Sequence, residues 1–111
     1  MNVEVQKYDV FQAIADPTRR KVLHLLSSKN QSIAEIASQF DISRTAVVKH
    51  LNILADAGLV SGEKQGKEKI YYLQPEPLKE LKDWLAYYER FWHNKLTKLK
   101  YVVENDTLNK D

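Results

Sequence analysis

Apolar positions follow a helical rhythm along most of this chain and break it once. Phe11, Ile14 and Ala15 recur at helical spacing, which predicts a short helix over residues 8–15 after a mobile lead-in at 1–7. In "ADPTRRKVLHLLSS" Asp16 is a capping residue, Pro17 suits the first helical position, and Val22, Leu23 and Leu26 form an inward stripe. In "QSIAEIASQF" Ser32 and Glu35 have capping-box spacing, and Ile33, Ile36, Ala37 and Phe40 line one helix face. Asp41-Ile42-Ser43 leaves only a tight turn before the next helix, "SRTAVVKHLNILADAGLV". There Ser43 can cap, Val47, Leu51, Leu54 and Ala55 make the inner face, and Gly58 takes the left-handed position that closes helices.

From Leu59 the period changes. "LVSGEK" and "KIYYLQ" predict two strands around a turn at Gln65-Gly66-Lys67, supported by Val60, Ile70, Tyr71 and Tyr72. Pro75 and Pro77 then break the chain, and Pro77 can start a long helix that persists to about residue 103 before a polar, fraying tail. The predicted order is helix, helix, helix, helix, strand, strand, helix. The class is mainly α with a small β-hairpin (α+β). Two short helices across a tight turn form a helix-turn-helix, and the hairpin behind them makes it winged.

Composition narrows the classes. The 111 residues suit a single domain spanning 1–111, and 43% hydrophobic content supports a core. A net charge of +2 is too weak to name a partner by itself, so the distribution of charge matters more than its sum. No cysteine is present, which removes disulfides, thiolate metal sites and cysteine nucleophiles together. No apolar run approaches the ~20 residues of a membrane helix, and "MNVEVQKYDV" lacks a signal-peptide hydrophobic region. A cytoplasmic protein without membrane association is expected. A nucleophile with its base, a phosphate-cradling glycine loop and a paired-carboxylate cleft are all missing, so an enzyme is not expected.

The candidate chemistry lies on the helix that starts after Ser43. With the buried stripe subtracted, Arg44, Thr45, Val48, Lys49 and Asn52 point outward, and no acidic residue occurs between Asp41 and Asp56. A helix enters the major groove with its N-terminal residues at the base edges. Arg44 suits a bidentate contact to guanine, and Thr45 a thymine methyl or a phosphate. An exposed Val48 gains little in water but would pack on a thymine methyl. An ordinary solvated face is the plain alternative. The hairpin carries Lys64, Lys67 and Lys69, interrupted by Glu63 and Glu68, which fits a backbone or minor-groove contact or simply a solvated turn. Arg19 and Arg20 open the second helix, where amides attract phosphate, yet they can equally pair with Asp16 or with carboxylates of the long helix. His50, beside the leucine stripe, reads as a packing residue or a structural hydrogen-bond partner, with a phosphate contact as the lesser alternative.

The segments "ADPTRRKVLHLL", "SIAEIASQFDISRTAVVKHLNILADAGLV" and "GKEKIYYL", in that order over residues 15–73, resemble the arsenic-repressor (ArsR) family of bacterial winged-helix regulators. The closing "LKDWLAYYERFWHNKL" is similar to one branch of it. The resemblance implies a dimeric repressor whose recognition helix reads double-stranded operator DNA and whose outer helices pair two copies; Ser43, Arg44, Thr45, Val48, Lys49 and Asn52 are the residues of that helix expected at the DNA. It further implies a DNA-binding core over about 16–74 and dimerisation helices over about 8–15 and 77–103. Many relatives sense metals through Cys-x-Cys in the third helix or through Asp, His and Glu in the last. The third helix here has no cysteine, so no metal or other cofactor is expected. Asp83, Glu89 and His93 of the last helix leave open a metal-responsive alternative, although Glu89 and His93, four apart, are fewer ligands than the three or four that zinc takes.

The last helix also carries more apolar surface than one core face needs. Leu78, Leu81, Leu85, Tyr88, Trp92, Leu96, Leu99 and Val103 hold the helical spacing, and Trp84, Tyr87 and Phe91 add a second strip. At about 1.5 Å per residue the helix runs about 39 Å, long beside the radius of gyration near 13 Å of a ~100-residue domain. A homodimer is expected, with Leu81, Trp84, Leu85, Tyr88, Phe91, Trp92 and Leu96 in the seam and Phe11 and Ile14 joining it. A symmetric dimer would bind an inverted-repeat operator. A protein-interaction module built on the same aromatic helix is the competing reading.

Overall fold

The computed structural model describes residues 6–108. Two compact units divide the chain, the first ending at Glu80 and the second beginning at Leu81. Most of the expected lead-in, residues 1–5, and the end of the expected tail, 109–111, lie outside the described residues.

In the first unit α1 spans Val10–Ala13, capped by Asp9 through a reciprocal pair with Gln12. It is shorter than the 8–15 expected. Asp16 precedes Pro17 and is extended at φ −99° and ψ 130°, so no helix can run through it. Asp16 then caps α2, Pro17–Ser28, accepting the Arg19 backbone N–H at 3.1 Å. Val22, Leu23 and Leu26 are buried as their spacing predicts.

A two-residue strand, β1 at Gln31–Ser32, was not foreseen. Ser32 still caps α3, Ile33–Ala37, in the expected box with Glu35. Of the predicted α3 face only Ile36 is fully buried, because the helix stops at Ala37 and Phe40 falls in the connector. That connector runs over 38–43 and is longer than the three-residue turn expected.

Ser43 caps α4, Arg44–Asp56, by accepting the Ala46 N–H at 3.1 Å. Val47, Leu51 and Leu54 point into the core, whereas Ala55, expected with them, is exposed. Ala57, before the chain reverses, and Leu59, after it, are buried as well. The reversal is at Gly58, φ 77°, where Gly58 N bonds Ala55 O and Leu59 N bonds Leu54 O, both at 2.9 Å. This is a full Schellman cap, and buried Leu59 and Leu54 supply its apolar partners.

The wing follows at once. β2 (Val60–Gln65) and β3 (Glu68–Leu73) pair antiparallel, with Val60 opposite Leu73 and Gln65 opposite Glu68. Gly66, φ 64°, is the first of two turn residues and supplies the positive φ that a tight hairpin needs there. β3 is central in the order β1-β3-β2, with Gln31 opposite Tyr71 on its other side. The core therefore joins Val10 and Ala13 of α1, the stripes of α2 and α4, Ile36, Leu59, Val60 and Tyr71. Full burial of each such large side chain contributes about 1.5–3 kcal/mol.

Helix α5 spans Leu78–Leu108, one residue after Pro77 and past the end expected near 103. In the second unit it keeps its large apolar side chains exposed: Trp84 at 50%, Tyr87 at 64% and Leu96 at 65%. Among the described residues no helix is long and apolar enough to cross a membrane.

Candidate nucleic-acid interface

Packing in α4 sets the site. Because Val47, Leu51 and Leu54 are committed to the core, Arg44, Thr45, Lys49 and Asn52 stand exposed on the far side of the helix. Their side chains make no hydrogen bond or ion pair to another described residue. Val48 is half-buried instead of fully outward, at the flank between the core stripe and the exposed face. Ser43 is exposed while its hydroxyl oxygen accepts the Ala46 N–H, so its first task is to cap the helix. The nearest acid on the helix, Asp56, is turned to a different use. Its Oδ2 accepts the backbone N–H of Lys7 at 2.9 Å and of Tyr8 at 2.7 Å, tying the N-terminal segment to the end of α4. Sequence spacing gave no sign of this clasp.

Lys64, Lys67 and Lys69 are all exposed on the wing, with Lys64 directly opposite Lys69. The Lys69 ammonium lies 5.4 Å from the centre of the Tyr71 ring, within cation–π reach. Glu63 and Glu68 stay exposed between them, so the tip keeps a mixed but net positive charge.

The two arginines at the start of α2 have specific work. Arg19 gives Nε to Ala13 O at 2.6 Å and Nη2 to Gln12 O at 3.1 Å, and its Nη1 lies 3.3 Å from His50 Nδ1. Arg20 gives Nη1 to Ile14 O at 2.7 Å and remains exposed. Both thus bond carbonyls at the end of α1: Ala13 O and Ile14 O take an arginine donor each, and Gln12 O, which already accepts the Ala15 N–H at 3.2 Å, takes Arg19 Nη2 as a second. The Arg19 guanidinium, for which a phosphate contact or an ion pair was expected, is half-buried and each of its three nitrogens faces a protein partner. Asp16 sits beside them, 3.9 Å from His50 Nδ1. Partial burial pushes its carboxyl up. The Arg19 backbone N–H and the nearby Arg19 guanidinium outweigh that and hold it below its ordinary 3.8.

The residues expected at a dimer seam fall in both units. Phe11 and Ile14 are half-buried in the first. In the second, Trp84, Leu85, Tyr88, Phe91, Trp92 and Leu96 are exposed and Leu81 is half-buried. Tyr88 meets Trp84 at 5.3 Å and Tyr87 at 5.0 Å between ring centres, both edge-on. The Arg90 guanidinium, which hydrophobic spacing passes over, lies 5.0 Å from the Phe91 ring centre and 5.7 Å from that of Tyr87. Among the described residues no three of His, Cys, Asp and Glu gather as metal ligands, so Asp83, Glu89 and His93 do not form a site within one chain.

The family model for bacterial regulatory proteins of the arsR family matches residues 16–61, which hold α2, the helix-turn-helix and the start of the wing. The chain is 39% identical over 77 residues to the transcriptional repressor SdpR of Bacillus subtilis, covering 69% of this chain and 86% of that one. It is 29% identical over 98 residues to the arsenical resistance operon repressor of Escherichia coli, covering 86% and 80%. Among solved structures, an ArsR-like transcriptional regulator from Rhodococcus sp. RHA1 superposes with a TM-score of 0.63 at 33% identity, covering 84% of this chain and 88% of that one. A helix-turn-helix with its wing, matched at these identities across most of the relatives' length, places the chain in the arsR family of bacterial regulatory proteins, transcriptional regulators and not enzymes.

Proposed function

We propose that the protein is a dimeric transcriptional repressor that binds an inverted-repeat operator. The observation that carries this is the exposed, acid-free face of α4. Arg44, Thr45, Lys49 and Asn52 enter the major groove there, with Ser43 at the helix start and Val48 at the margin of the face. Arg44 reads a guanine edge, and the others divide between bases and phosphates. Lys64, Lys67 and Lys69 lie along the neighbouring backbone or minor groove, and Arg20 adds a phosphate contact.

A second copy covers the aromatic face of α5, from Leu81 through Trp84, Leu85, Tyr88, Phe91 and Trp92 to Leu96. Phe11 and Ile14 are a further surface for that copy. Exposed apolar area of this extent on a monomer calls for a partner. Two-fold symmetry then presents two recognition helices to half-sites about one helical turn apart.

Titration of labelled promoter DNA at several salt concentrations tests the reading. Affinity above that for random DNA, falling steeply with salt, is expected. Equal affinity for both sequences overturns it. Sedimentation reads the assembly, where a mass twice 12.9 kDa is expected. A monomer that captures a different protein through Tyr88 and Trp92, with DNA dispensable, favours the interaction-module reading instead.

A further inference from the structure

We propose that Arg19 is a positioning residue, one that fixes the recognition helix α4 against α1 through His50. The proposal rests on the reading of α4 as the DNA-reading element, but its geometry stands apart from that reading.

Helix α1 is only four residues long, too short to persist without outside support. Its last carbonyls, Gln12 O and Ala13 O, are held by two nitrogens of the Arg19 fork at 3.1 and 2.6 Å. The third nitrogen lies 3.3 Å from His50 Nδ1, on α4. One planar, pre-formed group therefore touches three elements: its own α2, the end of α1 and the inner flank of α4. A lysine ammonium on a flexible stem cannot hold three such acceptors in one plane.

The contact also fixes the state of His50. Every nitrogen of an arginine guanidinium is a donor, so Nδ1 must offer its lone pair and the ring proton must sit on Nε2. The alternative partner, Asp16 Oδ2, would need a proton on Nδ1. At 3.9 Å it lies beyond hydrogen-bond distance, and it already accepts the Arg19 backbone N–H at 3.1 Å. Asp16 thus holds the base of the arginine while Arg19 holds the ring. His50 is half-buried, with 22% of its side chain exposed, and its position on α4 falls between the reading residues Lys49 and Asn52 and the core residue Leu51. Turning α4 about its axis moves the reading face and breaks the His50 contact together.

The test compares full-length Arg19→Lys, His50→Leu and His50→Asn. The asparagine side chain returns an acceptor near the place of Nδ1, whereas leucine fills the space without one. DNA sites are selected from random sequence with the wild-type protein, and affinity is compared with that for random DNA. Specific binding is expected to weaken at least about tenfold in Arg19→Lys and His50→Leu, and to stay within about threefold of wild type in His50→Asn. Nitrogen-15 spectra of the His50 ring, taken in base where imidazoles are neutral, are expected to show an unprotonated Nδ1 in the wild type and a mixture of tautomers in Arg19→Lys. Wild-type specificity in Arg19→Lys, or equal losses in the leucine and asparagine variants, overturns the proposal. A protonated Nδ1 in the wild type overturns it as well, even if the variants fail to fold. If the wild type selects no sequence, the operator reading fails while the ring spectrum still decides the Arg19–His50 contact.

Discussion

Lys64 faces Lys69 across the wing, two like charges at one cross-strand position. Such a pairing is mildly unfavourable for a sheet, and the approach of the Lys69 ammonium to the Tyr71 ring offsets part of it. A hairpin shaped for stability alone would place a carboxylate here. Lys64→Glu is expected to stabilise the fold by roughly 0.2–1 kcal/mol. The same change is expected to weaken binding to all DNA sequences alike and to lower the slope of log affinity against log salt by about 1. Thermal melting and salt titration on one sample check both. A fall in stability together with unchanged DNA affinity would show that the wing lysines serve the fold.

Arg44 is the test of base reading. Arg44→Ala removes an exposed side chain with no described protein partner, so the fold should keep its melting temperature. Operator affinity is expected to fall by about 1–3 kcal/mol, with preference relaxed at one base pair of each half-site. Binding to a panel of single-base operator variants measures this. An equal loss across the whole panel would move Arg44 from base to phosphate.

Gly62 tests the packing beneath the wing. A methyl group there would stand 2.7 Å from Lys69 Cε and 3.0 Å from Tyr71 Cε1. The lysine tip can swing away, but Tyr71 is buried in the central strand between Gly62 and Gln31. Gly62→Ala is expected to destabilise by about 1–3 kcal/mol, as overpacking does. Denaturant unfolding measures it, and a neutral result would mean the two strands part at little cost.

Acid should weaken the fold partly through Asp16. A carboxyl held below its unfolded value stabilises the fold while ionised, and that contribution is lost as pH falls through the folded value. The window for Asp16 therefore lies below pH 3.8. Asp16→Asn keeps a good capping side chain, so it should lose the charge-dependent part at neutral pH and show a shallower fall in stability below 3.8. Asp16→Ala removes the cap as well and should cost about 1 kcal/mol at pH 7. Glu35, also held low by the Ser32 N–H, continues to contribute acid sensitivity in the variant. Urea titrations across the acid range follow both changes, and an acid slope in Asp16→Asn as steep as in wild type would exclude Asp16 as its source.

Where one residue type has one dominant use, the sequence was legible. The caps at Asp16, Ser32 and Ser43, the reversal at Gly58 and the stripe of Val47, Leu51 and Leu54 all stand where their spacing puts them. So does the hairpin around Gly66. What could not be read depends on partners distant in sequence. Gln31 and Ser32 become a strand only because Tyr71 and Ile70 come alongside, and two polar residues have no period to detect. Arg19 looks like any basic residue until α1 and His50 surround it. Asp56 likewise needs the amides of Lys7 and Tyr8 to be in place. Ala55 went astray because alanine is small enough for either face, and Val48 because a helix flank is neither core nor solvent.

The division of labour around α4 bears on how such a protein acquires a new target. Arg44, Thr45, Lys49 and Asn52 carry no part of the core, while Val47, Leu51, Leu54 and the Schellman turn at Gly58 hold the helix and aim the wing. Substitutions on the outer face therefore leave folding nearly untouched. If that face reads DNA as proposed, a duplicated copy of this chain can change its target in a few single steps, each intermediate still folded.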